Sequence, residues 1–267
     1  MSQSSLSAAA IAGALTTRWA GRPIHYLPQV DSTNDLLHTL AEGGAPAGTL
    51  VITDLQTAGK GRLGRRWEAP HGTALLLSLL FRPPWPPEQA GQMTMIAGLA
   101  AAEAVEQQTS LRVALKWPND LVCGSPEALR KLCGILLEAR LDGPRLAYLV
   151  VGMGLNVNIP PAALPDGRTP ASSLLSELGT PTDRLALLDA LLSVFERRYE
   201  AAVAGASPHE AWAARMVQRD RPVTVTHTNG AILQGTAVGV TPLGHLEVRD
   251  AAGRLHVVAA GDVTLRP

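Results

Sequence analysis

Between Gly59 and Trp67 the chain reads Gly-Lys-Gly-Arg-Leu-Gly-Arg-Arg-Trp: four cations, three glycines and one indole in nine residues, with no acid before Glu68. The formal net charge of the chain is +0, so this cluster is local and not part of a basic surface. Glycines let a backbone approach an anion closely and reach positive φ. Arginine forks match phosphate oxygens two at a time, and lysine adds a mobile point charge. Such a segment suits a loop closing over a phosphorylated ligand; a solvated basic turn is the alternative. Two familiar phosphate loops do not fit. A Walker A loop needs Ser or Thr after its Gly-Lys pair, whereas Lys60 is followed by Gly61 and Asp54 stands where the first glycine belongs. Gly59, Gly61 and Gly64 have dinucleotide-fingerprint spacing, but Pro70 and Gly72 break any helix there and the apolar run from Ala74 reads as a strand.

Four further segments carry polar groups at element ends. Asp31-Ser32-Thr33-Asn34 places hydroxyls and an amide at a helix start. Lys116-Trp117-Pro118-Asn119-Asp120 ends a strand with a cation, an amide and a carboxylate. Lys131-Leu132-Cys133-Gly134-Ile135-Leu136-Leu137-Glu138 opens a strand with a lysine and then runs apolar. Gly152-Met153-Gly154-Leu155-Asn156-Val157-Asn158 is a small-residue strand end carrying amides. A lysine opening an apolar strand is costly to bury unless it meets an anion, or it snorkels at a sheet edge.

The elements that position these groups follow from periodicity. Strands are predicted over 24–29, 49–55, 74–82, 113–117, 121–123, 131–141 and 146–151, with Asp142-Gly143-Pro144 as a turn. Helices are predicted over 31–41, 89–107, 184–203 and 207–220. From Arg221 onward, short alternating runs separated by turns, including Asn229-Gly230, predict a small β-barrel. Residues 1–20 read as a lead-in helix or a disordered tail, 21–218 as the main domain and 219–267 as the barrel.

Composition excludes several classes. Apolar residues are 46% and charged residues 17%, a folded globular balance. Cys123 and Cys133 are too few for a disulfide framework or zinc site, which fits a reduced cytoplasm. Both read as structural, as does His71 in its turn. The N-terminus is a poor signal peptide, no stretch approaches the roughly 20 apolar residues of a membrane span, and neutrality argues against nonspecific nucleic-acid binding.

Taken together, the glycine-arginine loop, the Lys-Trp-Pro-Asn-Asp block, the Lys-Leu-x-Gly-Ile-Leu-x-Glu strand and the Gly-x-Gly-x-Asn strand end resemble the biotin protein ligase family, in the family's order and from about Tyr26 onward. Lys60 departs from the arginine common there but keeps the charge. About twenty residues precede the matching region, too few for a winged helix. The expected type is therefore the monofunctional one, without DNA binding.

The resemblance implies an α+β fold: a class II synthetase-like catalytic domain with a mixed, largely antiparallel sheet, followed by an SH3-like β-barrel. It also implies attachment of biotin to one lysine of a biotin carboxyl carrier domain, through biotinyl-5′-AMP, using ATP and Mg²⁺. A lipoate ligase-like acyl-adenylate transferase, a biotin-responsive regulator and a binding-only homologue are the alternatives. By resemblance, Ser32, Thr33, Asn34 and Gln56 line the biotin pocket, although Ser32 is also an ordinary helix cap. Lys60, Gly61 and Arg62 wrap the adenylate, and Lys131 lies between the biotin carboxylate and the α-phosphate. Arg65 and Trp67 help fold the loop over the nucleotide, with Trp67 equally readable as a core anchor. Lys116 adds charge beside the phosphates. Asn119 and Asn156 read adenine or ribose, or satisfy local backbone. Asp120 holds Mg²⁺, and Asp262 and Arg266 reach the nucleotide or the acceptor. A homodimer is a further possibility carried by the family.

Overall fold

Ser7 closes the start of the first helix, α1 (Ala8–Ala14), by accepting a hydrogen bond from the Ala10 amide at 3.1 Å. The structure, a computed structural model, describes residues 6–165 and 169–265. β1 (Ile24–Leu27) precedes α2 (Thr33–Glu42), whose N-cap is Ser32, accepting from the Asp35 amide at 3.4 Å. β2 (Leu50–Thr53) leads into the glycine-arginine loop, and β3 (Ala74–Phe81) follows it. α3 (Gln92–Gln108), β4 (Ala114–Lys116), β5 (Asp120–Cys123), β6 (Arg130–Asp142) and β7 (Arg145–Asn156) come next. Gly143, at φ +57°, turns β6 back into β7. Helices α4 (Leu174–Leu178), α5 (Arg184–Val203) and α6 (His209–Ala214) then lead to β8 (Arg221–Thr226), β9 (Ile232–Val240), β10 (Leu246–Arg249), β11 (Leu255–Val258) and β12 (Asp262–Leu265).

The larger sheet has seven strands in the order β1-β2-β3-β7-β6-β5-β4. Only β1 and β2 pair in parallel; the other pairs are antiparallel, as the expected mixed and largely antiparallel sheet requires. All eight residues of β3 are buried, so both sheet faces are covered there. Leu75, Leu77, Leu79 and Phe81 pack into the main core with α3 and α5, where the Phe81 and Phe195 rings stack with centroids 5.0 Å apart. The alternate residues point to the opposite face, where Leu80 packs against Leu37 and Ala41 of α2. Ser78 is the polar exception in this run, and it lies on the α2 face.

The C-terminal sheet has five antiparallel strands in the order β11-β10-β9-β8-β12. Its pairings among the described residues do not close it into the expected barrel. β12 and α4 were not among the predicted elements, and the helix predicted over 207–220 stops at Ala214. There the chain leaves the helix to run beside β4: Leu115 donates to the Arg215 carbonyl and accepts from the Val217 amide, both at 2.9 Å. Gln218 brackets Trp117 with bonds to its backbone amide and carbonyl, each 2.9 Å, and Trp117 Nε1 donates to the Gly244 carbonyl at 3.0 Å. The two sheets are thus joined at the strand end that carries the Lys-Trp-Pro-Asn-Asp block.

A buried ion pair anchors the base of the glycine-arginine loop. Arg184 Nη1 and Asp54 Oδ1 are 2.7 Å apart with both side chains 7% exposed. Tyr26 donates to the other Asp54 oxygen at 2.8 Å, and burial together with that bond pushes its phenol above the ordinary value. Removing one partner leaves an uncompensated buried charge. Arg184→Met is therefore expected to lower unfolding free energy by about 3–5 kcal/mol in urea titration; a loss under about 1 kcal/mol would show that the pair does not anchor the fold.

Candidate active site

On the α2 face of the large sheet, strand register sets Ser78 opposite Gly152, Leu76 opposite Gly154, and Gly134 opposite Gly154. Glycine at these positions removes side chains from a whole patch of sheet. A Cβ at Gly152 would strike the Asn34 amide, and one at Gly154 would strike the Trp67 indole. At Gly134 it would lie 2.8 Å from Trp67 Cζ3. These glycines exist for close approach, and they form the floor of a cavity of about 460 Å³.

The start of α2 makes one wall. Gln56 Oε1 accepts from the Thr33 amide at 2.9 Å and from its hydroxyl at 3.0 Å. Ser78 Oγ lies 2.7 Å from Thr33 Oγ1 and 2.5 Å from Asn34 Oδ1, and Asn34 Nδ2 donates to Glu138 at 2.6 Å. Ser32 both caps the helix and lines the cavity, so the two readings of that residue coexist.

The glycine-arginine loop forms the roof as a small hairpin. Gly61 N donates to the Arg65 carbonyl at 2.7 Å, and Trp67 N to the Gly59 carbonyl at 2.9 Å. Gly64 takes φ +72°, but Leu63 also takes φ +57°, an αL residue with a Cβ inside a loop otherwise eased by glycine. Side chains tie the hairpin down: Lys60 to Asp35 at 2.5 Å, Arg62 to Asn119 Oδ1 at 3.3 Å, and Arg65 to Asp262 of β12. The Asp35 bond raises the Lys60 ammonium above its ordinary value, whereas burial lowers the Arg62 guanidinium.

Lys131 closes the far side. Its ammonium sits 2.6 Å from Asp120 Oδ1 and 5.3 Å from the centroid of the Trp67 ring, a cation–π contact. Trp67 thus joins loop, floor and lysine in one contact set. Backbone bonds of 2.8 Å link Lys131 N to the Pro170 carbonyl and Ser172 N to the Lys131 carbonyl. Glu177 of α4 secures this stretch by accepting from Arg130 Nε at 2.7 Å, Arg130 Nη2 at 2.8 Å and Ser172 Oγ at 2.5 Å. Those bonds, Arg130's first, hold its carboxyl at about 2. Lys116 donates to Thr169 Oγ1 at 2.7 Å, and Asn119 Nδ2 to the Ile135 carbonyl at 2.6 Å. Asn156 Nδ2 donates to the Ser172 carbonyl at 2.9 Å, while its Oδ1 is buried without a partner.

Every described residue expected at the site lines this one cavity, from Ser32 and Gln56 to Lys131 and Asn156; Arg266 lies outside the described residues. Among the described lining residues, six cations face three carboxylates, an excess that concentrates anions. Sequence reasoning missed Ser78 and Glu177. A serine interrupting an apolar run was a signal for the first; the second lies in a helix too short to show periodicity. Cys123 and Cys133 are buried, and burial pushes both thiols up to about 12, consistent with structural roles.

Comparison with known proteins places this geometry. Residues 26–156 match the model of the biotin/lipoate A/B protein ligase family, and residues 220–266 match the biotin protein ligase C-terminal domain. The biotin–[acetyl-CoA-carboxylase] ligase of Paracoccus denitrificans is 33% identical over 240 residues, covering 88% of this chain and 97% of that protein. The chain belongs to the biotin protein ligase family. The bifunctional ligase/repressor BirA of Bacillus subtilis is 35% identical over 195 residues, which cover 73% of this chain and 59% of that protein's length. The biotin protein ligase of Aquifex aeolicus, solved in complex with biotin and ATP, aligns with TM-score 0.73 and 26% identity over 92% of this chain and 99% of its own. The C-terminal match separates this member from the lipoate branch that the first match also describes.

Two measurements follow from the site's clamps. Glu177 has a folded value of about 2 against an ordinary 4.5. Its pairing therefore stabilises the fold fully above the ordinary value, and that stability is lost as pH falls towards 2. Glu177→Gln is expected to be less stable than wild type at neutral pH, with the gap in urea midpoint narrowing through this window; a constant gap would contradict the clamp. Asp262→Asn releases Arg65, so trypsin is expected to cut within 62–66 several-fold faster than in wild type. Equal cutting rates would show that β12 does not hold the loop.

Proposed function

We propose that this biotin protein ligase family member attaches biotin to one lysine of a biotin carboxyl carrier domain, using ATP. The observation that carries the reading is the cation-rich cavity in which Lys131, the glycine floor and the glycine-arginine loop meet. In the first step an oxygen of the biotin carboxylate attacks the α-phosphorus of ATP. The bond to the β-phosphate breaks, giving biotinyl-5′-AMP and pyrophosphate. In the second, the ε-amine of the acceptor lysine attacks the anhydride carbonyl, and AMP leaves as the amide forms. Two anions must approach one another in the first step, so positioned cations are the main requirement.

Each residue's part in this reading follows from where it sits. Ser32, Thr33, Asn34 and Gln56 present hydroxyls and amides for the ureido group at the α2 end. The Trp67 indole, seated on the glycine floor, gives the cavity an apolar wall for the ring and tail. Lys131 and Arg62 reach the carboxylate and α-phosphate, with the backbone of Lys60 and Gly61 beside them. Arg65 and Lys116 take the outer phosphates, and Asn119 and Asn156 take the adenosine; Arg266, outside the described residues, joins them by resemblance alone.

Asp120 is the candidate for Mg²⁺. Its buried Oδ1 faces the Lys131 ammonium at 2.6 Å, and a carboxylate oxygen of this kind suits a hard cation. No group of three His, Cys, Asp or Glu side chains converges among the described residues, so the chain supplies one ligand and phosphates and water the rest. Bound there, Mg²⁺ neutralises phosphate charge.

The same reading keeps a catalytic unit over 21–218 and takes 219–267 as a partly open SH3-like barrel. It places the protein in the cytoplasm, acting on a carrier domain and not on DNA, with a homodimer open to test. Among the described residues no helix is long and apolar enough to cross a membrane. Incubation with ATP, Mg²⁺, biotin and a carrier domain should add one biotinyl group to one lysine, read by mass spectrometry. Lys131→Ala should cut biotin-dependent pyrophosphate release by about 10²–10³-fold with far-UV circular dichroism unchanged; release at the wild-type rate would remove Lys131 from the reaction.

A further inference from the structure

Glu138 ends the Lys-Leu-x-Gly-Ile-Leu-x-Glu strand, yet none of the roles above uses it. It stands on the α2 face of β6, paired in register with Val150. Its Oε2 accepts from Asn34 Nδ2 at 2.6 Å and lies 3.5 Å from His38 Nε2. His38 Nδ1 in turn is 3.2 Å from the Tyr148 hydroxyl, whose ring lies under the Arg82 guanidinium at 5.3 Å. Lys60 of the loop lies close enough for Glu138 to raise its affinity for a proton.

A carboxylate accepts hydrogen bonds and cannot donate them. Glu138 therefore holds the Asn34 side chain with its NH₂ towards β6 and its oxygen towards Ser78. Ser78 alone does not hold it that way, because a hydroxyl rotates to donate or accept. With Asn34 Oδ1 taking the single Ser78 proton, the Thr33 hydroxyl is left to donate, to Ser78 at 2.7 Å or to Gln56 Oε1 at 3.0 Å, and so cannot set the order either. The backbone amide of Thr33 fixes the Gln56 end of this chain, and Glu138 fixes the Asn34 end. Asn34 is 3% exposed and sits against Gly152, so it has no solvent to mask a wrong orientation.

We infer that Glu138 is a positioning residue for substrate selection: by imposing one amide orientation on Asn34, it fixes the donor–acceptor order of the Asn34–Ser78–Thr33 chain that the cavity presents to the cyclic urea of the ligand. This rests on the biotin reading above. Its consequence is selectivity between ligands that differ at the urea oxygen. Biotin offers an acceptor there, and 2-iminobiotin replaces it with a nitrogen that donates.

Glu138→Gln is the test, because an amide offers Asn34 either a donor or an acceptor and so permits it to turn over. The Glu138 side chain is 33% exposed, so the isosteric change is compatible with the fold. Calorimetric titration with biotin alone comes first on the wild-type protein; no binding there would remove the functional reading itself. With binding established, E138Q should raise the KM for biotin about tenfold, with the loss falling on KM and not on kcat. It should also narrow the preference for biotin over 2-iminobiotin, whereas Glu138→Asp, which remains acceptor-only, should keep that preference wide. An unchanged KM in E138Q, or equal weakening of both ligands with the preference intact, would overturn the role of Glu138.

Discussion

Cations gathered to hold an anionic ligand repel one another before the ligand arrives, and this constraint shapes the whole site. The chain meets it by giving each of three cavity cations a carboxylate from a different element. Lys60 takes Asp35 from α2, Lys131 takes Asp120 from β5, and Arg65 takes Asp262 from β12. The loop therefore folds onto the cavity through contacts to both sheets. Arg62 differs: burial lowers its guanidinium and it donates to the neutral Asn119 amide, so an incoming anion relieves its desolvation most directly. A ligand that replaces paired carboxylates exchanges one set of charge contacts for another, so its gain comes from fit more than from raw charge.

The second constraint is space. A sheet face normally carries side chains on alternate residues, and here three of those positions are glycine in two neighbouring strands. That absence lets Asn34 and Trp67 lie directly on the backbone of β6 and β7. Met153, between Gly152 and Gly154, points to the other face and is buried in the main core. The Gly-x-Gly pattern thus reads as a strand bared on one side and packed on the other. It needs α3 and α5 to hold the packed side firm, which the stacked Phe81 and Phe195 rings help to do.

Much of this was legible from residue types and spacing because the site is built from contiguous blocks. The cap at Ser32, the apolar run at Ala74 and the helix over 184–203 follow from local chemistry, and each forms where expected. What stayed hidden depends on pairing across the sheet. Nothing local says that Ser78 lies opposite Gly152, or that Glu138 shares its face with Asn34. The helix expected to run to residue 220 ends at Ala214 because β4 offers backbone partners that local propensity does not weigh. β12 has only four residues and sits at the end of the chain, yet it supplies the Asp262 that holds Arg65.

These two constraints meet at Trp67. The indole lies over bared glycine backbone, so its position depends on the floor, and its ring faces the Lys131 ammonium at 5.3 Å, so its position also depends on the charge arrangement. Its Nε1, like Asn156 Oδ1 in the same cavity, is buried without a partner, an uncompensated polar atom. A ligand acceptor reaching that nitrogen would satisfy it while an anion displaces Asp120 from Lys131. Binding of the apolar part and of the charged part are then coupled through one side chain, because moving the indole alters both the slot it walls and the ammonium it faces. A loop that only supplied charge would not need an aromatic residue at its end; one that must register two dissimilar halves of a ligand against each other does.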